Sequence, residues 1–243
     1  MARRKVQELD ASSIADIAFL LLAFIIIATT LEKESGVQAF LPSKNDNPEK
    51  IDIIERNILQ VTINKNDDIM VNGSIDQSPE DVKASVIEFM ENPTNSENLP
   101  SMTSVTKENC SLNIYNINAE IQASGTTGKL EKKLKKWKGK LKTVELVGDY
   151  RTINRFATIA IQYDKSTKYG TYLSVRDNIM SGLNKLRDDL SVKVFGVTYK
   201  HLLSIRLESF KDDPTGLEEH KAKIKAIREV YPQKIIKLEA IQK

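Results

Sequence analysis

Apolar and polar positions follow different rhythms along this chain, and one stretch has almost no polar beat. Residues 17–31 carry no charged side chain, and with residues 11–16 they form a segment that as a helix spans about 30 Å, the thickness of a hydrocarbon core. The pattern predicts a transmembrane helix over residues 11–31. Arg3, Arg4 and Lys5 ahead of it would also suit the n-region of a secretory signal. No small-residue cleavage site follows cleanly, however, and Asp16 interrupts what should be a purely apolar h-region, so an uncleaved anchor is the better reading. Basic residues on the N-terminal flank, against the mixed Glu32, Lys33 and Glu34 beyond it, orient residues 1–10 to the cytoplasm and the rest of the chain to the opposite side.

Beyond the anchor the rhythm changes. Residues 32–56 are polar, contain Pro42 and Pro48, and read as a flexible linker. Residues 59–63 and 69–71 alternate as a hairpin, followed by the turn pair Asn72-Gly73. Ser78, Pro79 and Asp81 then form a helix start, with Ser78 as N-cap and Pro79 at the first helical position, and Val82, Val86, Phe89 and Met90 supply the apolar face. Residues 158–163 read as a strand. Tyr172, Val175, Ile179, Leu183, Leu186 and Leu190 recur at spacings of three and four, which makes a helix with one buried stripe, and residues 235–238 close as a final strand. Together these predict an α+β fold: a single N-terminal transmembrane helix, then a small extracytoplasmic α+β domain with helices on one sheet face. Its halves are residues 57–91 and 156–243, and residues 92–155 read as an inserted segment. Within that insertion, residues 92–109 are expected to be a loop or poorly ordered, and Leu112, Ile114 and Ile117 a short strand.

Composition changes the picture at one place. The formal net charge is +3, yet residues 129–142 hold eight lysines and one glutamate, a local +7, so the other residues together carry −4. Leu130, Leu134, Trp137 and Leu141 recur at helical spacing, predicting a basic amphipathic helix softly broken by Gly139. Lys129, Lys132, Lys133, Lys135, Lys136, Trp137 and Lys138 would form a docking surface for an acidic partner, anionic lipid headgroups or a cell-wall polymer; the competing reading is a solvated helix packed on its domain. Nucleic acid is a poor partner for a domain outside the cytoplasm. Asn72-Gly73-Ser74 and Asn109-Cys110-Ser111 match the short glycosylation pattern, which is too common to carry weight. Cys110 is the sole cysteine and His201 and His220 the sole histidines, so no thiolate or imidazole metal site is expected, and no cofactor. No Gly-rich phosphate loop, H-E-x-x-H or G-x-S-x-G motif occurs, and no enzyme is expected.

The one charge within the anchor is the most informative residue. A carboxylate well inside a spanning helix costs about 2.5–3.5 kcal/mol on insertion scales and usually faces a bundle interior or a water-filled path. The alternative is that Asp16 lies near enough to the interface to be merely solvated. A buried carboxyl that takes a proton from one aqueous phase and gives it to the other draws about 2.3 kcal/mol per 100 mV, enough to bias a two-state rotation or tilt. On helical spacing Ser12, Asp16, Leu20, Ala23 and Ile27 share a face flanked by Ser13 and Thr30. One helix cannot enclose a proton path, so a multi-span partner is required.

Ser12-Ser13-Ile14-Ala15-Asp16 opening the predicted helix, the short basic N-terminus, the apolar run to Leu31, and then Gly36-Val37 with Leu41-Pro42 resemble the ExbD/TolR family. The best-known members carry a proline three residues before the aspartate, where Ser13 stands here. Farther on, Ala160-Ile161-Gln162-Tyr163-Asp164 and Tyr169-Gly170-Thr171-Tyr172 before a long helix look like the second half of the family's periplasmic domain. With Asn184-Lys185-Leu186-Arg187 and Tyr231-Pro232, the chain is most similar to Bacteroidetes-type members. The resemblance implies an inner-membrane subunit, N-terminus cytoplasmic and domain periplasmic. Two copies would sit within a ring of ExbB/TolQ-like helices, with Asp16 alternately protonated and released. The periplasmic linker motif is Leu41 and Pro42, and the domains would dimerise and act on a TonB-like transducer to energise outer-membrane import. A TolR-like envelope role engaging peptidoglycan is the alternative within the family; a single-pass scaffold or adaptor without proton coupling is the alternative outside it.

Overall fold

The computed structural model describes residues 11–30, 55–205, 209 and 213–238. These fall into two compact units, residues 1–51 and 52–243. Of the first, the described part is one helix, α1 (Ala11–Thr30), with side chains described at positions 15 and 17–25. Among the described residues, which within α1 include side chains at only 15 and 17–25, no helix is long and apolar enough to cross a membrane. The cytoplasmic 1–10 segment and residues 32–54 of the predicted linker lie outside the described residues.

The second unit is α+β. After a short 3-10 turn (Glu55–Asn57) come β1 (Ile58–Ile63), β2 (Ile69–Val71), β3 (Ser74–Gln77) and α2 (Pro79–Glu91). Next are β4 (Met102–Val105), α3 (Lys107–Ser124), α4 (Gly128–Val147) and β5 (Tyr150–Ile153). β6 (Thr158–Tyr163), α5 (Tyr169–Phe195), α6 (Tyr199–Ser204), α7 (Pro214–Val230) and β7 (Ile235–Lys237) complete it. The main sheet runs β3-β2-β1-β6-β7, and β4-β5 form a separate pair. At its centre β1 and β6 lie parallel, from Ile58 opposite Thr158 to Ile63 opposite Tyr163. A parallel pair needs a crossover. Here everything from β2 to β5 lies between the two strands in sequence.

Local chemistry accounts for the predicted elements. Leu59, Val61 and Ile63 are buried and Gln60 is exposed, the alternation expected of a strand with one covered face. Asn72 and Gly73, at φ 48° and 85°, form a two-residue turn of the type that suits strand twist, and it joins β2 to β3, a strand the alternation alone did not suggest. The Asn72 side chain also accepts from the Gln60 backbone N–H at 2.9 Å. Ser78 caps α2 reciprocally: its hydroxyl accepts from the Asp81 N–H, and the Asp81 carboxylate accepts from the Ser78 N–H at 2.8 Å. Val82, Val86, Phe89 and Met90 are buried against β1, β6 and the Val175, Ile179, Leu183 and Leu186 stripe of α5.

Residues 92–155 depart from expectation in three ways. The 92–101 stretch is held by Asn92, a buried left-handed helix cap whose amide donates to the Ser96 and Pro100 carbonyls and accepts from the Ser96 N–H. It therefore has a built shape, and β4 follows within the expected loop. Leu112, Ile114 and Ile117 belong to helix α3, not a strand: Cys110 and Ile117 are buried, Ile114 and Ile121 half-buried, and their spacings of four, three and four put them on one side. Finally, α4 runs unbroken through Gly139. Val105, Cys110, Val144, Tyr150 and Val230 form a second core with Trp137, Leu141 and Leu190 against it. Arg187, itself buried, donates through Nε and Nη2 to the Tyr231 carbonyl at 3.1 and 2.8 Å and so ties the end of α7 to α5.

Candidate functional site

Two places were singled out by sequence, α1 and the lysine-rich helix. The helical backbone of α1 puts positions 12, 16, 20, 23, 27 and 30 within an arc of about 80° at 100° per residue. Leu20 is exposed and Ala23 half-buried; the side chains of Ser12, Ser13, Asp16, Ile27 and Thr30, and residues Leu41 and Pro42, lie outside the described residues. Ile17, Phe19, Leu20, Leu21, Leu22 and Phe24 are 56–70% exposed, and their positions point around the whole helix. A helix apolar on every side needs a cover of lipid or protein.

On the second unit, α4 starts at the N-cap Thr127, whose hydroxyl accepts from the Leu130 N–H at 3.3 Å. Its Leu130, Thr143 and Val144 are buried, with Leu134, Trp137 and Leu141 half-buried, so the stripe read from the sequence packs inward. The lysines point out: Lys129, Lys132, Lys133, Lys135, Lys136, Lys138 and Lys142 are exposed. The ion pairs among the described residues join Lys168 to Asp67, Lys185 to Asp189 and Lys221 to Glu218, none of them on α4.

Tertiary structure adds a residue to this basic surface that the lysine run did not contain. Lys140 and Lys234 are half-buried, and both amines are held below the usual lysine range, first by burial and then by the charge of Lys136, with Glu229 opposing. Lys234 is fixed by donating to the Asn154 and Arg155 carbonyls at 3.2 and 2.8 Å. Lys140 also sits 4.9 Å from the Trp137 ring centre. No local signal marks Lys234, which reaches Lys136 only because β7 pairs with β6.

Elsewhere the clefts are open. One of about 680 Å³ is lined by Lys83, Asp177, Asn184, Asp188 and Lys200, and in it Asp188 accepts from the Lys200 N–H at 3.1 Å. Cys110 is fully buried and its thiol is pushed up by that burial, which disfavours the reactive thiolate. Among the described residues no group of His, Cys, Asp or Glu is arranged to hold a metal.

The described residues thus comprise an α+β unit and an apolar helix with one carboxylate position. The family model described as biopolymer transport protein ExbD/TolR matches residues 2–187, and the chain belongs to that family. Its members serve biopolymer transport as non-enzymatic subunits. The match runs from the basic N-terminus through α1 and both central strands and ends at Arg187 within α5. No curated protein and no solved structure matches the chain.

Proposed function

We propose that this chain is the single-span subunit of an energy-transducing complex of the inner membrane, coupling proton flow through Asp16 to work on the far side of the membrane. The observation that carries this is the coincidence, in a chain of the ExbD/TolR family, of a 20-residue helix with a lone carboxylate position near its start. At 1.5 Å per residue, α1 is about 30 Å long, the thickness of one hydrocarbon core. Its apolar side chains stand exposed on every side, which suits a helix covered by other helices or lipid.

In this reading residues 1–10 are cytoplasmic and the folded unit is periplasmic, joined to α1 by residues 31–54. Residues 92–155 elaborate the family's periplasmic domain. Two copies of α1 sit inside an ExbB/TolQ-like ring, which supplies the rest of the proton path, with Ser12, Leu20, Ala23, Ile27 and Thr30 along the pore-facing side. Protonation of Asp16 removes a charge that is costly to carry through the ring, and each proton draws about 2.3 kcal/mol per 100 mV from the membrane potential. The folded unit passes the resulting motion to a TonB-like transducer, energising outer-membrane import.

Asp16→Asn keeps size and polarity but cannot cycle a proton. With the cognate channel present, it should lower energised uptake by about tenfold or more. Its membrane level and co-purification with the channel subunit should stay unchanged. Undiminished uptake in that variant overturns the coupling role.

A further inference from the structure

The lysines of α4 have no role in the coupling reading, yet they dominate the charge of the folded unit. They do not stabilise their own helix, because Lys129, Lys132, Lys133, Lys136 and Lys140 stand three or four residues apart and repel. Among the described residues none of them takes part in an ion pair, although Glu229 acts on Lys140 at longer range. Lys132, Lys135, Lys138 and Lys142 form an exposed stripe over three turns, bordered by Glu131 and Glu145, with the bare backbone of Gly139 on the same side. Lys234, held by the Asn154 and Arg155 carbonyls, lies within range of the charge of Lys136. On α3, which packs against α4, Leu112 and Tyr115 lie one turn apart and are 58% and 71% exposed. Lysine ammoniums spread along an exposed helix face match a fluid anionic surface better than a single pocketed ligand.

We propose that the α4 face docks the folded unit on anionic lipid headgroups of the membrane that holds α1. The proposal rests on the anchored reading of α1. Only 24 residues, 31–54, separate α1 from the folded unit, and a chain of that length spans at most about 85 Å however it is arranged. Lipid headgroups are therefore always within reach at high effective concentration, whereas an acidic polymer or peptide must be met by diffusion. Docking of this kind is electrostatic, so it weakens with salt as the Debye length falls from about 10 Å at 0.1 M to about 3 Å at 1 M. A docked unit lies against the bilayer, and a released one is free to reach a transducer.

The test uses the full chain reconstituted in vesicles of phosphatidylcholine alone or with phosphatidylglycerol at about one lipid in three, the range in which polybasic segments respond. Lysine acetylation read by mass spectrometry gives the rate at each amine. Lys132, Lys135, Lys138 and Lys142 should react about threefold or more slowly in the anionic vesicles, with the difference lost near 1 M salt. Lys185 and Lys221, on other helices, serve as internal references. In the variant with Lys132, Lys135, Lys138 and Lys142 all changed to Gln, the slowing at Lys129 and Lys133 should disappear while circular dichroism and thermal midpoint are retained. Equal rates in both vesicles overturn the docking. So does protection that arises only when polyglutamate or soluble cell-wall fragments are added, which would assign the face to an acidic polymer. Extraction with alkaline carbonate reports anchoring separately: a chain that stays in the membrane without charge-dependent protection refutes the docking alone, and one that is extracted refutes the anchor.

Discussion

Gly182 lies where α5 crosses α2. A Cβ there would meet the backbone oxygen of Lys83 at 3.0 Å and the Cγ1 and Cβ of Val86 at 3.1 and 3.2 Å. Helix propensity favours alanine over glycine by about 1 kcal/mol, and overpacking of a tight contact opposes it by about 1–3 kcal/mol. Because one obstructing atom is backbone, crowding should win. Gly182→Ala is expected to lower stability by about 1 kcal/mol, read as a lower urea midpoint with an unchanged slope. Asn92 works at the same scale by a different means, its one side-chain amide satisfying three backbone groups of the 92–101 stretch. In both cases a single side chain, or the lack of one, decides how two segments meet.

Among the elements, α4 is the one whose sequence pulls in two directions. Like-charged lysines three and four residues apart each destabilise a helix by about 0.2–0.5 kcal/mol. Burial of Leu130 and Val144 contributes about 1.5–3 kcal/mol per side chain, so packing wins and the helix forms over all 20 residues. Gly139 does not break it, since the turn is held from both ends and the Thr143 hydroxyl donates to the Gly139 carbonyl at 3.1 Å. A Cβ at Gly139 would meet nothing within 4 Å. Gly139→Ala should therefore stabilise the unit by about 0.5–1 kcal/mol, raising its thermal midpoint, the opposite sign to Gly182→Ala.

On the scale of the molecule, the folded unit has two main cores, and the central parallel strand pair belongs to the first. The first joins the main sheet to α2 and α5; the second joins β4, β5, α3 and α4 to α7. Tyr231 and the buried Arg187 link them, with Tyr231 packed against both and its hydroxyl donating to Glu91 at 3.3 Å. Residues 52–243 produced without the first 51 should thus fold alone and melt in one cooperative transition by circular dichroism and by tryptophan fluorescence from Trp137 in the second core. Two separated transitions would mean that the cores are independent. The same unit carries on one helix more than the whole basic excess of the chain, which is why the docking of that helix and the coupling at Asp16 are separable by experiment.

Wherever a signal is local, the sequence determined the outcome by itself. The 3.6-residue stripe of α5, the Ser78 cap, the alternation in β1 and the apolar run of α1 each depend on neighbours a few residues away, and hydrophobic periodicity records those directly. The family resemblance on residues 12–16 was legible for the same reason. Polar helices were not: α3 exposes most of its surface and buries a cysteine, so its helical spacing is visible only when Cys110 and Ile121 are counted with Ile114 and Ile117. Tertiary structure alone decided the parallel pairing of β1 with β6, the packing of α4 on α7, and the approach of Lys234 to the Asn154 and Arg155 carbonyls. Each joins residues far apart in the chain, and the energy that holds them comes from surfaces that exist only after the cores have formed.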